Sequence, residues 1–142
     1  MGINKRVLLF SAGMDSFIYK KIFGFTDEEC LFVDMGTKEN KIEKQFIAKY
    51  FPKTQQYTFP LSVLELPNKI IPFRNNHIAL LAANYANNIH FAFTAGDTTK
   101  DKDYVFKAQM ESILNYFAQD KNKVKVEGPF AIHMDFKNFT KT

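Results

Sequence analysis

The stretch Arg6-Val7-Leu8-Leu9-Phe10-Ser11-Ala12-Gly13-Met14-Asp15-Ser16 decides how the chain is to be read. An apolar run that passes into a small, hydroxyl-bearing turn and then into a helix begins a βα unit. Such a turn lets successive backbone N–H groups point into one concavity, where Ser11 and Ser16 add hydroxyls and the helix adds its positive end. Phe10, Ser11, Ala12, Gly13, Met14, Asp15 and Ser16 therefore form a candidate site for phosphate or pyrophosphate. The other reading is a plain βα turn in which Ser11 or Asp15 caps the helix and nothing binds. The loop follows the first strand, and ligands of open α/β sheets bind at the carboxyl ends of strands.

The spacing excludes two common phosphate loops. A Walker A loop needs four residues between its glycine and a Gly-Lys-Ser/Thr ending, and a dinucleotide loop needs three spaced glycines; neither is present.

Outward from this stretch, strand-like and helix-like segments alternate, which predicts a parallel five-stranded sheet with helices on both faces. Strands are expected over Arg6–Phe10, Glu29–Asp34, Gln56–Phe59, His90–Thr94 and Lys123–Glu127. Helices are expected over Asp15–Phe23, ended by Gly24, then Lys38–Tyr50, Arg74–Asn88 and Asp103–Gln119. In the second helix Ile42, Phe46, Ile47 and Tyr50 share a face at helical spacing, and in the third Ile78, Leu81, Ala82 and Tyr85 do. The stretch from Pro60 to Pro72 carries three prolines and reads as irregular.

With 142 residues the chain is expected to form one domain over 1–142. Its 46% hydrophobic and 24% charged content is that of a soluble globular protein, and no apolar run approaches the ~20 residues that span a bilayer. Met1 lies almost against the first strand, which leaves no room for a signal peptide, so a cytoplasmic protein is expected. Cys30 is the single cysteine, which rules out an internal disulfide or a cysteine zinc site within the chain and reads as a buried thiol. The net charge of +4 suits an anionic small molecule; nucleic acid is possible but not favoured.

Two further groups lie on the same predicted rim. Val33-Asp34-Met35-Gly36 closes the second strand, where exposed backbone could read a nucleotide base, or where Gly36 and Thr37 simply turn and cap the next helix. Arg74-Asn75 opens the third helix. Arg74 is one of two arginines against seventeen lysines, its cation is disfavoured by the helix dipole there, and its planar fork suits phosphate or carboxylate. Beyond the fourth strand, Gly96, Asp97, Asp101 and Tyr104 form a polar loop. Asp97 and Asp101, with Asp103, could hold Mg²⁺ beside phosphate oxygens, or the loop could be solvated with Asp103 as a cap.

Ser11 to Ser16 resembles the PP-loop of the ATP pyrophosphatases, Ser-Gly-Gly-x-Asp-Ser, with Ala12 in place of the first glycine. Together with Val33-Asp34-Met35-Gly36, the Arg74-Asn75 helix, and Gly96 with Asp101, Tyr104 and Phe106, it resembles the 7-cyano-7-deazaguanine synthases of queuosine biosynthesis. That resemblance runs as far as Pro129 and implies an adenine nucleotide α-hydrolase-like, Rossmann-like α/β fold. It implies an ATP-dependent carbon–nitrogen ligase that adenylates 7-carboxy-7-deazaguanine, releases pyrophosphate and adds ammonia, with ATP and Mg²⁺ as cofactors. It places Ser16, Asp15 and Arg74 in the catalytic set, the first loop on pyrophosphate, Val33 to Gly36 beside adenine, and Arg74, Asn75, Gly96, Asp97, Asp101 and Tyr104 on the substrate side. A phosphate-binding lysine of the family corresponds to Lys137 or Lys141. Family members are longer and bind zinc through four C-terminal cysteines; this chain has one cysteine, so no zinc is expected within it. It is then a homo-oligomer or a chain completed by another, or a nucleotide-binding module without the reaction. A PP-loop enzyme acting on tRNA is a further alternative.

Overall fold

A computed structural model describes residues 5–11, 13–92, 103–118 and 123–129. Five strands, β1 (Arg6–Leu9), β2 (Cys30–Asp34), β3 (Gln55–Thr58), β4 (Asn88–His90) and β5 (Lys125–Glu127), form one sheet in the order β3-β2-β1-β4-β5. Every pairing is parallel. Four α-helices alternate with them: α1 (Met14–Phe23), α2 (Lys38–Tyr50), α3 (Arg74–Ala82) and α4 (Tyr104–Phe117). The expected Rossmann-like α/β fold is what the chain adopts.

Side chains of a strand alternate between its faces, and the sheet therefore carries two cores. Leu8, Phe10, Cys30 and Phe32 point to one face and pack with Phe25, Ile47 of α2 and Tyr19 of α1. Val7, Leu31, Ile89 and Val126 point to the other, beneath Ile78, Ala79 and Ala82 of α3 and Phe106, Met110 and Leu114 of α4. Cys30 is fully buried, as expected, and burial pushes its thiol up to about 12, so it stays protonated.

The helix ends follow local rules. Gly24 ends α1 in the left-handed conformation (φ 65°), and Arg6 donates to the carbonyls of Phe23 and Gly24 at 3.0 Å while pairing with Glu29 at 2.9 Å. Thr37 caps α2 by accepting from the Asn40 N–H at 3.1 Å, and Asp103 caps α4 by accepting from the Phe106 N–H at 2.8 Å.

Three sequence expectations need correction. The third helix ends at Ala82 instead of Asn88, because the Asn84 side chain donates to the Leu80 and Leu81 carbonyls and the backbone turns over Ala83–Tyr85. The fourth strand begins at Asn88 instead of His90, in register with Arg6 of β1. Of the α2 stripe only Ile47 faces the core; Ile42, Phe46 and Tyr50 are exposed.

β1 is central, with β2 and β3 to one side and β4 and β5 to the other. The chain reverses direction across the sheet between β3 and β4, which makes the carboxyl ends of β1 and β4 a topological switch point.

Candidate functional site

At that switch point lies a cavity of about 540 Å³. Three segments remote in sequence meet around it: Phe10, Ser11 and Asp15 from the β1–α1 junction, Val33 and Met35 from the end of β2, and Arg74 and Asn75 from the start of α3. Each arrives for a backbone reason. The first loop leaves a central strand and turns at Gly13, which occupies the N-cap of α1 and brings no capping side chain. The β2 turn is held by Asp34, whose Oδ1 accepts from the Gly36 N–H at 3.0 Å, and by Gly36 in a positive φ of 85°. The α3 start is set by Phe73, an N-cap in the left-handed conformation at φ 58° that throws Arg74 and Asn75 towards the sheet.

The loop hydroxyls differ in role. Ser11 is exposed and lines the cavity, whereas Ser16 is buried, donates to the Gly13 carbonyl at 3.2 Å and lies 3.4 Å from the Ser11 Oγ. Ser16 therefore shapes the loop and does not line the cavity itself. Asp34 and Gly36 also fall outside the lining, since the Asp34 carboxylate is engaged by the turn and by Lys44 at 3.5 Å. Met14 is exposed on α1, and Tyr104 is exposed on the first turn of α4, away from the cavity. Ala12, Gly96, Asp97, Asp101, Lys137 and Lys141 lie outside the described residues.

Further residues join the wall without a sequence signal of their own: Glu39, Asn40, Glu43, Glu65 and Lys69. Asn40 is the hinge of this group. It is buried, accepts from the Met35 N–H at 2.8 Å through Oδ1 and donates through Nδ2 to Glu43 at 2.9 Å. Burial pushes the Glu43 carboxyl above its ordinary value, opposed by the Asn40 hydrogen bond and the Arg74 charge. Spacing offered one clue only: Glu39, Asn40 and Glu43 share a turn of α2 directly after the capped Thr37.

Four carboxylates, Asp15, Glu39, Glu43 and Glu65, face two cations, Lys69 and Arg74. A bare polyanion would be opposed by this wall. What the lining offers an anion is the Ser11 hydroxyl and the Arg74 guanidinium, beside Val33 and Met35. No group of three or more His, Cys, Asp or Glu poised to hold a metal occurs among the described residues. Asp15 and Glu43 are nonetheless oxygen donors of the kind that Mg²⁺ takes singly or in pairs alongside phosphates.

No protein-family model matches the chain, and neither the curated proteins nor the solved structures contain a match. Among the described residues no helix is long and apolar enough to cross a membrane.

Proposed function

We propose that the protein is an ATP-dependent, PP-loop-type synthase that splits ATP between its α- and β-phosphates to adenylate a carboxylate. By the resemblance of its loops the acceptor is 7-carboxy-7-deazaguanine, amidated with ammonia towards the amide or nitrile. The observation that carries this reading is the convergence of Ser11 and Asp15, Val33 and Met35, and Arg74 and Asn75 on one cavity at the switch point.

In this reading the backbone after β1 and the Ser11 hydroxyl hold the pyrophosphate portion, with Ser16 fixing the loop from beneath. Val33 and Met35 lie along the base. Arg74 grips an anionic oxygen with its planar fork and stabilises the charge that develops on the departing pyrophosphate. Adenylation turns a poor carboxylate leaving oxygen into a good one, which ammonia then displaces. Mg²⁺, carried in with ATP, supplies charge neutralisation that four wall carboxylates cannot.

Incubation with ATP, Mg²⁺, ammonia and 7-carboxy-7-deazaguanine is expected to release AMP and pyrophosphate. Arg74→Ala should slow release about tenfold to a hundredfold, the worth of one charged hydrogen-bonding group. Release that is absent, or equal in the variant, sinks the proposal. A second reading, a nucleotide-binding module without turnover, is favoured by the inward Ser16 hydroxyl. It predicts calorimetric ATP or AMP binding with no pyrophosphate formed.

A further inference from the structure

α1 is amphipathic in the wrong direction for a helix that only covers a sheet. Ser16 is its one buried residue, while Met14, Phe17, Ile18 and Ile22, at the i, i+3, i+4 and i+8 spacing of an apolar stripe, are 73%, 38%, 45% and 70% exposed. The neighbouring helix does the same: Ile42, Phe46 and Tyr50 recur every four residues at 70%, 45% and 54% exposure. Ring contacts join the two stripes, with Phe17 6.1 Å from Phe51, Phe51 6.3 Å from Phe46, and Phe46 4.6 Å from Tyr50. The result is a continuous two-helix apolar face.

We propose that this face is the interface of a homodimer, closed by the same face of a second copy of the chain. Large apolar side chains bury roughly 150–250 Å² each, so seven of them left about half exposed offer on the order of 700 Å². That exceeds what a monomer ordinarily leaves in one patch and approaches the ~800 Å² per partner of a stable interface. Two adjacent helices bearing parallel stripes are half of a four-helix layer. A two-fold axis supplies the other half with no new surface required, because an isologous interface is self-complementary. Lysine heads lie over the rings of the face: Lys21 over Phe17 at 6.0 Å, Lys49 over Tyr50 at 5.2 Å, and Lys20, paired with Asp27 at 3.0 Å, over Phe51 at 5.1 Å.

The inference is independent of the proposed catalysis. Sedimentation velocity at micromolar concentration is expected to give twice the 16.5 kDa chain mass. Ile18→Glu with Phe46→Glu should return it to the single-chain mass, while circular dichroism shows both proteins melting cooperatively. Tyr116→Glu, on the exposed aromatic end of α4, should leave the dimer intact. Ile18→Cys should cross-link into dimers under mild oxidation, cleanly, because Cys30 is the only other thiol and is buried. A wild type that is monomeric at every concentration overturns the proposal, and so does a dimer lost through Tyr116→Glu but not through the double variant. A monomer that sediments with phosphatidylserine vesicles through this face overturns it in favour of a lipid surface.

Discussion

Gly36 combines two constraints that no other residue type meets. Its φ is +85°, and a Cβ there would stand 2.7 Å from the Ser62 Oγ. Gly36→Ala is expected to cost about 1–2 kcal/mol in backbone strain alone, seen as a melting temperature lower by roughly 3–7 °C. An unchanged melting temperature would mean the turn relaxes at no cost.

His90 offers a pH signature. Its Nδ1 lies 2.7 Å from the Tyr19 hydroxyl, its Nε2 is buried without a hydrogen-bond partner, and burial, aided by the Arg6 charge, lowers its pKa from 6.5 to about 4. The unfolded chain takes up this proton near pH 6.5, but the folded chain refuses it until about pH 4. Its contribution to stability is therefore complete above pH 6.5 and is lost as pH falls towards 4. Glu43, whose pKa is raised, acts in the opposite sense, and Glu29, whose pKa is lowered, acts below the ordinary carboxylate range. Melting temperature should decline from pH 6.5 to 4.5, and the decline should be shallower in Tyr19→Phe with His90→Phe, a pair that leaves no orphan hydroxyl. Equal slopes would show that His90 is not the group responsible. Nothing local in the sequence marks His90 as this group, since its environment is assembled from α1, β1 and β4.

At the scale of elements, the caps of α2 and α4 and the Gly24 stop of α1 were readable; the cap of α1, which is Gly13 instead of Ser11 or Asp15, and the end of α3 were not. Thr37 and Asp103 precede apolar-periodic runs and do cap α2 and α4. Asp103→Ala is expected to destabilise the protein by about 1 kcal/mol, measured by urea denaturation with an unchanged slope. A destabilisation below a few tenths would indicate a cap replaced by water. The end of α3 escaped because Asn84 is a helix-tolerated residue until its side chain finds the Leu80 and Leu81 carbonyls. The α2 stripe misled for a different reason: periodicity gives a face, and it does not say whether this sheet or another molecule covers that face.

For the whole molecule, alternation of strand and helix was sufficient to fix a parallel sheet, because parallel neighbours require crossover connections. The strand order then puts the first loop at the switch point, which is why Ser11, Val33 and Arg74, read separately along the chain, share one cavity. Glu43 and Lys69 stayed invisible because their place on the wall depends on packing between segments and on no motif of their own. Lys69, at φ 67°, stands in a conformation that only the crossover from β3 to α3 imposes.

That crossover is stitched to the sheet. Beyond the last β2–β3 pair the Phe59 N–H donates to the Asp34 carbonyl at 2.8 Å, and the Ser62 N–H donates to the Met35 carbonyl at 2.9 Å. The segment that leads to Lys69 and Arg74 thus starts from an anchored point. One wall of the cavity is prepaid in conformational entropy, and a ligand entering it has less chain to order before its own contacts count.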